Sequence, residues 1–399
     1  MIVLALLALA APAQRGADLV VHADRLYAAP GTVIEDGVVA LAGEKIATIA
    51  RGAPDSGGSD VIHVAAITAG MIDASGRVTP GQLAVEQSRE VTPNVAVAVG
   101  LDVYDVGWAR HLESGVTTVF VAPDSYNVIG GFGIVLKTGG PESIEARTLR
   151  ADAAVCGAIG GRPSSGNSPA SGTPRMKSRR PTTRMGVEWE WRKAFYDAEA
   201  SERVPERAFP GSDVLRAVLR GEHALVVEAW TTQDIRTAVF LKEEMEREGL
   251  GDLRLVIDAG AEAWKEPQLL VRTGTPVVLP PFGDGRVGPE RAFHAWNTAK
   301  LLRDAGLDVA LSSHGAESPA TTLGMQAGYA MRGGLSFDEA LAAVTTTPAR
   351  LLGVADRVGT VEAGKDADLV LWSGTPFEPS SRVLGVVLDG ELVVDELPD

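Results

Sequence analysis

The chain has 399 residues, of which 45% are hydrophobic and 22% are charged, and its formal net charge at pH 7 is −15. This length allows one large core or two to three smaller ones, and repulsion between like charges disfavours nucleic acid or an anionic membrane as a general partner. The single cysteine, Cys156, excludes an internal disulfide.

The chain begins with a short apolar run, MIVLALLALAAPAQ, which ends in Ala11-Pro12-Ala13. This pattern is typical of a secretory signal peptide over residues 1–13, although no Lys or Arg precedes the apolar run. A buried N-terminal strand, or a start codon assigned in the wrong place, is the alternative. No later apolar run reaches the roughly 18–20 residues of a membrane span. The sequence therefore predicts export to the periplasm or the extracellular space, without a membrane span.

Short strand-like runs, rich in Val, Ile and Leu and bounded by Gly- and Asp-bearing turns, occupy both ends of the mature chain. These runs are residues 18–22, 37–41, 45–49, 367–372 and 383–394. Because the two β-rich ends enclose a long middle of different character, they predict one composite β-sandwich domain. It consists of residues 17–66 and 351–396.

The middle of the chain, residues 67–350, alternates apolar strand-like runs with segments of helical spacing. The predicted strands are 116–121, 224–227, 253–257, 276–279 and 309–312, and the predicted helices are 232–248, 290–305 and 336–345. This alternation is typical of parallel βαβ units, and closure into an α/β (β/α)₈ TIM barrel is the economical arrangement. A doubly wound open sheet is the alternative, but no glycine-rich dinucleotide fingerprint follows a strand.

Residues 157–186 differ in composition from the chain around them. They are rich in Gly, Ser and Pro and lack Asp and Glu, while their basic residues are Arg162, Arg175, Lys177, Arg179, Arg180 and Arg184. Such a segment cannot bury a core, so the composition predicts a long loop. The loop is either a solvated connection or a basic lid or docking arm over the barrel mouth.

Several consecutive segments near the C-terminus carry a family resemblance. They are LSFDEAL at 335–341, TTTPARLLG at 345–353, RVGTVEAGKDADLV at 357–370 and VLDGELV at 387–393, with IGGFGIVLK at 129–137 and TRMG at 183–186 further upstream. This succession resembles the amidohydrolase superfamily, in its imidazolonepropionase-like branch of secreted members. The resemblance implies a (β/α)₈ barrel with a β-sandwich formed by both chain ends.

The resemblance also implies metal chemistry at the C-terminal mouth of the barrel. Such proteins typically hold one or two divalent metals through Asp-x-His-x-His on the first strand, a His on the fifth, a His on the sixth and an Asp on the eighth. A metal of this kind lowers the pKa of bound water toward about 7, so that hydroxide can attack a C–N or ester carbonyl.

In this sequence the positions that match those ligands carry other residues. In MIDASGR, at 71–77, Ser75 and Arg77 replace the two histidines of the first motif. Glu228 replaces the fifth-strand ligand, Ala259 the sixth-strand histidine and His314 the eighth-strand aspartate. Since all of these positions differ and Arg77 adds a positive charge, the sequence predicts a retained barrel without the family's metal site.

The candidate pocket consists of Ser75, Arg77, Lys137, Arg184, Glu228, Glu262 and His314, with Lys265 beside them. In one interpretation Lys137, Glu228 and His314 form a new and sparser metal site. In the other, Glu228 pairs with Arg77 or Lys137, because an unpaired buried charge is costly. The other histidines have no ligand spacing and are predicted to be structural or surface residues: His22, His63, His111, His223 and His294.

Three functions are compatible with these observations. The first is a non-catalytic subunit that needs no cofactor and partners an active paralogous amidohydrolase or forms a homo-oligomer. The second is a hydrolase of C–N bonds in a small substrate, with an altered site and a divalent metal such as zinc. The third is a solute-binding barrel, in which Arg77, Lys137 and Arg184 favour a small anionic ligand.

Overall fold

The computed structural model describes residues 18–54, 61–76, 78, 84–86, 88–164, 180–283, 288–315 and 318–398. The predicted signal peptide, Arg77 and most of the basic segment lie outside these ranges, so those predictions remain predictions. Within the described part of the chain, no helix is both long and apolar enough to cross a membrane.

One sheet is formed by strands from both ends of the chain. Its strands are β1 (Leu19–Ala29), β2 (Thr32–Ala42), β3 (Lys45–Arg51), β4 (Val61–Ala69), β13 (Leu369–Trp372), β14 (Val383–Leu388) and β15 (Glu391–Asp395), in the order β15-β14-β13-β4-β1-β2-β3. The sheet encloses its own apolar core, to which β1, β2, β13 and β14 all contribute. A bridge between Lys45 and Asp366 brings β3 against the segment before β13.

The second sheet has eight strands, in chain order along the sheet. They are β5 (Met71–Gly76), β6 (Val116–Val121), β7 (Ile129–Lys137), β8 (Thr148–Ala158), β9 (Ala224–Glu228), β10 (Arg254–Asp258), β11 (Val277–Leu279) and β12 (Val309–Leu311). The end strands β5 and β12 lie next to each other, so the sheet forms a nearly closed barrel. The prediction of a barrel with a second β unit from both chain ends is confirmed, although the predicted β-sandwich is one seven-stranded sheet. The five predicted barrel strands are all present.

The helices follow or precede these strands along the chain. They are α1 (Val106–Glu113), α2 (Ile144–Arg147), α3 (Gly161–Ser164), α4 (Arg184–Ala200), α5 (Ser212–Leu219), α6 (Thr232–Arg247), α7 (Pro267–Arg272), α8 (Thr298–Asp304), α9 (Leu323–Arg332), α10 (Phe337–Val344) and α11 (Thr346–Leu352). Short 3₁₀ turns cover Val97–Gly100, Pro205–Arg207, Ala263–Lys265, Pro289–Arg291 and Pro319–Thr321. The apolar faces of the longer helices pack around the outside of the barrel.

Helix boundaries follow from capping side chains. Ser336 and Glu339 form a reciprocal capping box at the start of α10, and Thr231 caps α6. These two helices match their predicted ranges closely. The predicted helix 290–305 is only partly present, since Pro289–Arg291 forms a 3₁₀ turn and α8 begins only after Asn297. In the segment between them the Phe293 carbonyl accepts a hydrogen bond from the Trp264 indole at 3.0 Å.

Strand β7 runs antiparallel to both of its neighbours, whereas all other adjacent pairs in the barrel are parallel. The reversal follows from chain length, because only residues 122–128 connect β6 to β7. A parallel crossover needs about a dozen residues or more, so a connection this short can form only a hairpin. As a result, β7 starts at the mouth and ends at the opposite end of the barrel.

The sequence had predicted Lys137 at the barrel mouth. The reversed strand instead places it far from the mouth. Lys137 pairs with Thr118 near the start of β6, and its ammonium contacts Asp366 at 3.0 Å, Asp368 at 2.5 Å and Asp389 at 3.0 Å. Those carboxylates belong to the sheet built from the chain ends. The prediction that Lys137 lines the mouth is therefore wrong, and its ammonium joins the two sheets instead.

Candidate functional site at the barrel mouth

Three buried carboxylates at the barrel mouth each accept a hydrogen bond from a serine hydroxyl of another element. Ser75 at the end of β5 donates to Oδ2 of Asp258 at the end of β10, at 2.8 Å. Ser125, in the turn between β6 and β7, donates to Glu228 at the end of β9. The hydroxyl of Ser313, just after β12, donates to Asp73 of β5. We call these three contacts the serine–carboxylate network.

Asp73 bridges the seam where β12 meets β5. Its carboxylate accepts the backbone N–H and the hydroxyl of Ser313 and the backbone N–H of Ser75. His111 of α1 donates its Nδ1–H to the Gly107 carbonyl at 2.8 Å and directs Nε2 toward Asp73 at 3.6 Å. Burial alone would raise the pKa of Asp73, but His111 and the hydrogen bonds from Ser313 and Ser75 hold it below its ordinary value.

Glu228 lies beneath an aromatic side chain that separates the inner site from solvent. The Trp230 indole donates to Oε1 of Glu228 at 3.0 Å, while Oε2 accepts from Ser125. The guanidinium of Arg291 lies over the Trp230 ring, with Cζ 4.0 Å from the ring centroid. Trp230 and Arg291 therefore cover the inner carboxylates.

His314 and Ala259 occupy unusual backbone conformations next to this network. Their φ angles are 48° and 59°, and both side chains are buried. Positive φ is uncommon for residues other than glycine and is often found at functional sites. The ring of His314 packs edge-on against Trp230, and its Nε2 lies 3.8 Å from Oδ1 of Asp258. Among the described residues this nitrogen makes no hydrogen bond.

A small cavity of about 30 Å³ lies inside the network, lined by Ser75, Asp124, Ser125, Glu228 and Asp258 among others. A cavity of this size holds one water molecule or two, but no organic substrate. The inner site is thus filled by its own side chains.

A larger pocket of about 750 Å³ lies outside Trp230. Its lining includes Arg184, Glu262 and Lys265, together with Arg291 and Phe293. Lys265 contacts Glu262 at 3.0 Å and lies 3.9 Å from the centroid of the Phe293 ring. The volume is typical of a small-molecule site.

The charged residues of this outer pocket are held by partners. Hydrogen bonding to Asp234 raises the pKa of Arg184 above its ordinary value, and Arg184 also contacts Glu290 at 2.7 Å. Burial would raise the pKa of Glu262, but hydrogen bonds from Thr232 and Lys265 hold it below its usual range. The described ends of the basic segment lie here too, because Gly161 and Arg184 both line the pocket.

The predicted site residues therefore fall into separate places. Ser75, Glu228 and His314 lie at the inner mouth with Ala259, and Arg184, Glu262 and Lys265 line the outer pocket. Sequence reasoning missed Asp73, Asp258, Ser125 and Ser313 as site residues. The signal for the first two was available, since each is a carboxylate at or near the end of a barrel strand, where functional residues of such barrels collect.

The donor set at the inner mouth does not fit a divalent metal held by the protein. Within the described ranges, no group of three or more His, Cys, Asp or Glu side chains is arranged to hold one. The available carboxylates already accept serine hydroxyls, and a serine hydroxyl is a poor substitute for the histidine nitrogens that zinc prefers.

A nucleophile activated by a histidine is also absent from the described inner mouth. The nearest arrangement is His111, Asp73 and Ser313, in which the carboxylate lies between the other two. An activated serine requires the histidine next to the hydroxyl, with the carboxylate behind the histidine. This order therefore supports a structural role for the three residues rather than acyl transfer.

Comparison with known proteins agrees with this architecture. The model described as "Amidohydrolase family" matches residues 230–393. Amidohydrolase tasK of Hapsidospora irregularis is 28% identical over 345 residues, which cover 78% of this chain and 34% of that protein. An imidazolonepropionase of Mesorhizobium japonicum is 48% identical over 75 residues, 18% of each chain. This chain thus spans about a third or less of the length of these curated relatives.

Solved structures extend the similarity over almost the whole chain. A crystal structure of an amidohydrolase from Thermotoga maritima MSB8 has a TM-score of 0.83 and 27% sequence identity, covering 94% of this chain and 100% of that one. A zinc-bound adenosine deaminase from Xanthomonas campestris has a TM-score of 0.53 at 16% identity, covering 95% of this chain and 93% of that one. At that identity the likeness shows the fold alone.

Proposed function

Because this chain belongs to the amidohydrolase superfamily, we propose that it retains the barrel as a non-hydrolytic binding or partner subunit. The serine–carboxylate network carries this proposal. At strand ends where relatives are expected to hold metal, Ser75, Ser125 and Ser313 satisfy Asp258, Glu228 and Asp73. A metal would have to break these hydrogen bonds, and buried polar groups that lose a partner cost about 1–3 kcal/mol each.

The outer pocket supports a binding role. It has the volume of a small-molecule site, an aromatic ring in Phe293 and fixed charges of both signs. Asp73, Glu228 and Asp258 do not line this pocket, so a ligand in it would contact the rim residues and not the buried carboxylates. A ligand with both acidic and basic groups would match the cations and carboxylates that line the pocket.

Metal analysis of the untagged protein tests the loss of metal chemistry. We expect well below one equivalent of zinc, manganese or iron per chain after dialysis against each metal at neutral pH. We also expect no chelator-sensitive hydrolysis across a panel of small amides, lactams and esters. About one equivalent of tightly held metal, with hydrolysis abolished by chelation, would overturn the proposal.

Size analysis tests the partner role separately. Protein purified from its native host is examined by size-exclusion chromatography with light scattering, and co-purifying chains are identified by mass spectrometry. A second barrel with intact His-x-His ligands in the same particle supports the partner role. A lone monomer, or a homo-oligomer without such a chain, leaves the outer pocket as the binding site and rejects the partner role.

A hydrolase with an altered site is the second candidate, and His314 is the observation in its favour. Its Nε2 lacks a hydrogen bond among the described residues and lies near Asp258, beside a cavity that Glu228 also lines. If this site hydrolyses a C–N bond, Glu228→Gln and His314→Ala abolish turnover, whereas Lys265→Ala at the pocket rim changes mainly KM. Equal loss in all three variants would contradict a catalytic role for the inner pair.

A further inference from the structure

Two histidines lie side by side on the sheet formed by the chain ends. His22 of β1 and His63 of β4 are directly paired in parallel register. Their neighbours Val21, Ala23 and Val64 belong to the core of the sheet, so the alternation of side chains turns both imidazoles to the opposite face. The two Nδ1 atoms are 3.0 Å apart.

An aspartate fixes the orientation of one of these rings. Oδ1 of Asp36, which has a positive φ within β2, lies 2.6 Å from Nε2 of His22. A carboxylate only accepts hydrogen bonds, so His22 donates its Nε2–H. This leaves Nδ1 of His22 as the ring nitrogen that faces His63. A carboxylate behind a histidine in this way is the usual support of a metal-bound imidazole.

We propose that His22 and His63 form a surface site for a divalent transition metal, with Asp36 orienting His22. Two nitrogens bound to one metal at about 2.0–2.1 Å, at angles between about 90° and 110°, are about 2.8–3.4 Å apart. The observed spacing of 3.0 Å lies within this range. Water completes the coordination, because His63 is exposed and His22 and Asp36 are partly open to solvent.

This site is distinct from the barrel mouth. Its residues belong to β1, β2 and β4, whereas the serine–carboxylate network is formed at the strand ends of the other sheet. The protein supplies only two ligands to this site, the two Nδ1 atoms. Imidazole pairs of this kind favour Cu²⁺ over Ni²⁺ and Zn²⁺, following the general order of divalent affinities. The negative net charge of the chain also favours cations at its surface.

The competing explanation is that the two rings only share a proton. In that case one Nδ1 donates to the other, and the pair has no special affinity for metals. Both explanations predict the same ring spacing, so only titration with metal separates them.

The test is a Cu²⁺ titration of the full chain without an affinity tag, followed by calorimetry and by electron paramagnetic resonance. We expect one equivalent of Cu²⁺ with a spectrum of two imidazole nitrogens. His63→Ala lowers the affinity by more than about 100-fold, and Asp36→Asn lowers it by about 10–100-fold, because the carboxylate acts through His22. His223→Ala, whose ring packs against Phe132 in the barrel, is the matched control and leaves binding unchanged.

Three results would overturn the proposal: no binding by the wild-type chain, unchanged affinity in His63→Ala, or a spectrum without nitrogen ligands. Thermal melting of each variant without metal verifies that it is folded. Because His63 is exposed, we expect His63→Ala to remain folded. Metal bound at the barrel mouth would survive His63→Ala, so failure here is distinguishable from failure of the proposed function.

Discussion

Removal of the Lys137 ammonium is the sharpest test of how the two sheets are joined. We expect Lys137→Met, which keeps most of the apolar stem, to destabilise the fold by about 3–5 kcal/mol, the usual cost of breaking a buried ion pair. The ammonium is almost fully buried, and three carboxylates from the other sheet surround it. Urea unfolding followed by tryptophan fluorescence and circular dichroism measures the loss.

The magnitude depends on which carboxylate is left without a partner. Asp366 keeps Lys45 at 2.6 Å and Arg357 at 2.7 Å, and the side chain of Asp389 is 30% exposed and can be hydrated. Asp368 is buried and loses its cation, so nearly all of the loss comes from one group. Burial already holds the pKa of Asp368 above its ordinary value, and removing Lys137 raises it further.

The direction of the pH dependence follows from that pKa. An acid whose folded pKa exceeds its unfolded pKa binds more protons in the folded state, so stability falls as pH rises through the window between the two values. Lys137→Met is therefore expected to be less destabilised at pH 5 than at pH 8. Adding Asp368→Asn to Lys137→Met removes the orphaned charge and restores part of the stability.

Lys45→Met is the matched control, because half of that side chain is exposed and Asp366 keeps other partners. It is expected to cost no more than about 1 kcal/mol. A loss below about 1 kcal/mol in Lys137→Met at pH 8, or an equal loss in both variants, would refute the reasoning.

Two further predictions concern buried groups of the barrel. Ser313→Ala is expected to cost about 1–3 kcal/mol by leaving Asp73 short of a donor. The folded pKa of Asp73 is lowered, so the stability that its ionised carboxylate contributes is present above the unfolded pKa and is lost on acidification. Ser313→Ala is therefore expected to lose less stability than wild type between pH 7 and pH 3. Cys156 is buried and burial raises its pKa, so a thiol reagent at pH 8 is expected to label it only in denaturant; rapid labelling of the native chain would contradict its placement.

Much of the fold was predictable because it depends on local patterns. Short-range sequence patterns predicted the alternation of strands and helices in the middle of the chain and the strands at both ends. The segments near the C-terminus added a resemblance to a family over a long stretch of sequence. Strand β7 was not among the predicted strands, although residues 122–128 are too few for a parallel crossover from β6. Lys137 was misplaced because its position depends on the direction of this strand.

The site was harder to predict because its contacts join residues far apart in the chain. Ser75 and Asp258 are 183 residues apart, and Ser313 and Asp73 are 240 apart. Serine has no spacing that marks it as the partner of a distant carboxylate. The family positions drew attention to Ser75, Glu228 and His314, but a comparison of ligand positions shows which residues were replaced and not which residues now make the hydrogen bonds.

The reversed strand β7 also has a mechanical consequence. Its first residue, Ile129, exchanges backbone hydrogen bonds with the 90–92 segment next to the mouth turn that carries Ser125, and its last, Lys137, is clamped by the other sheet. Nine extended residues form a stiff strut about 30 Å long. A displacement of the two sheets relative to each other would therefore act on β7 along its axis. The Ile129 end of β7 would transmit that movement to the turn that carries Ser125, which hydrogen-bonds Glu228.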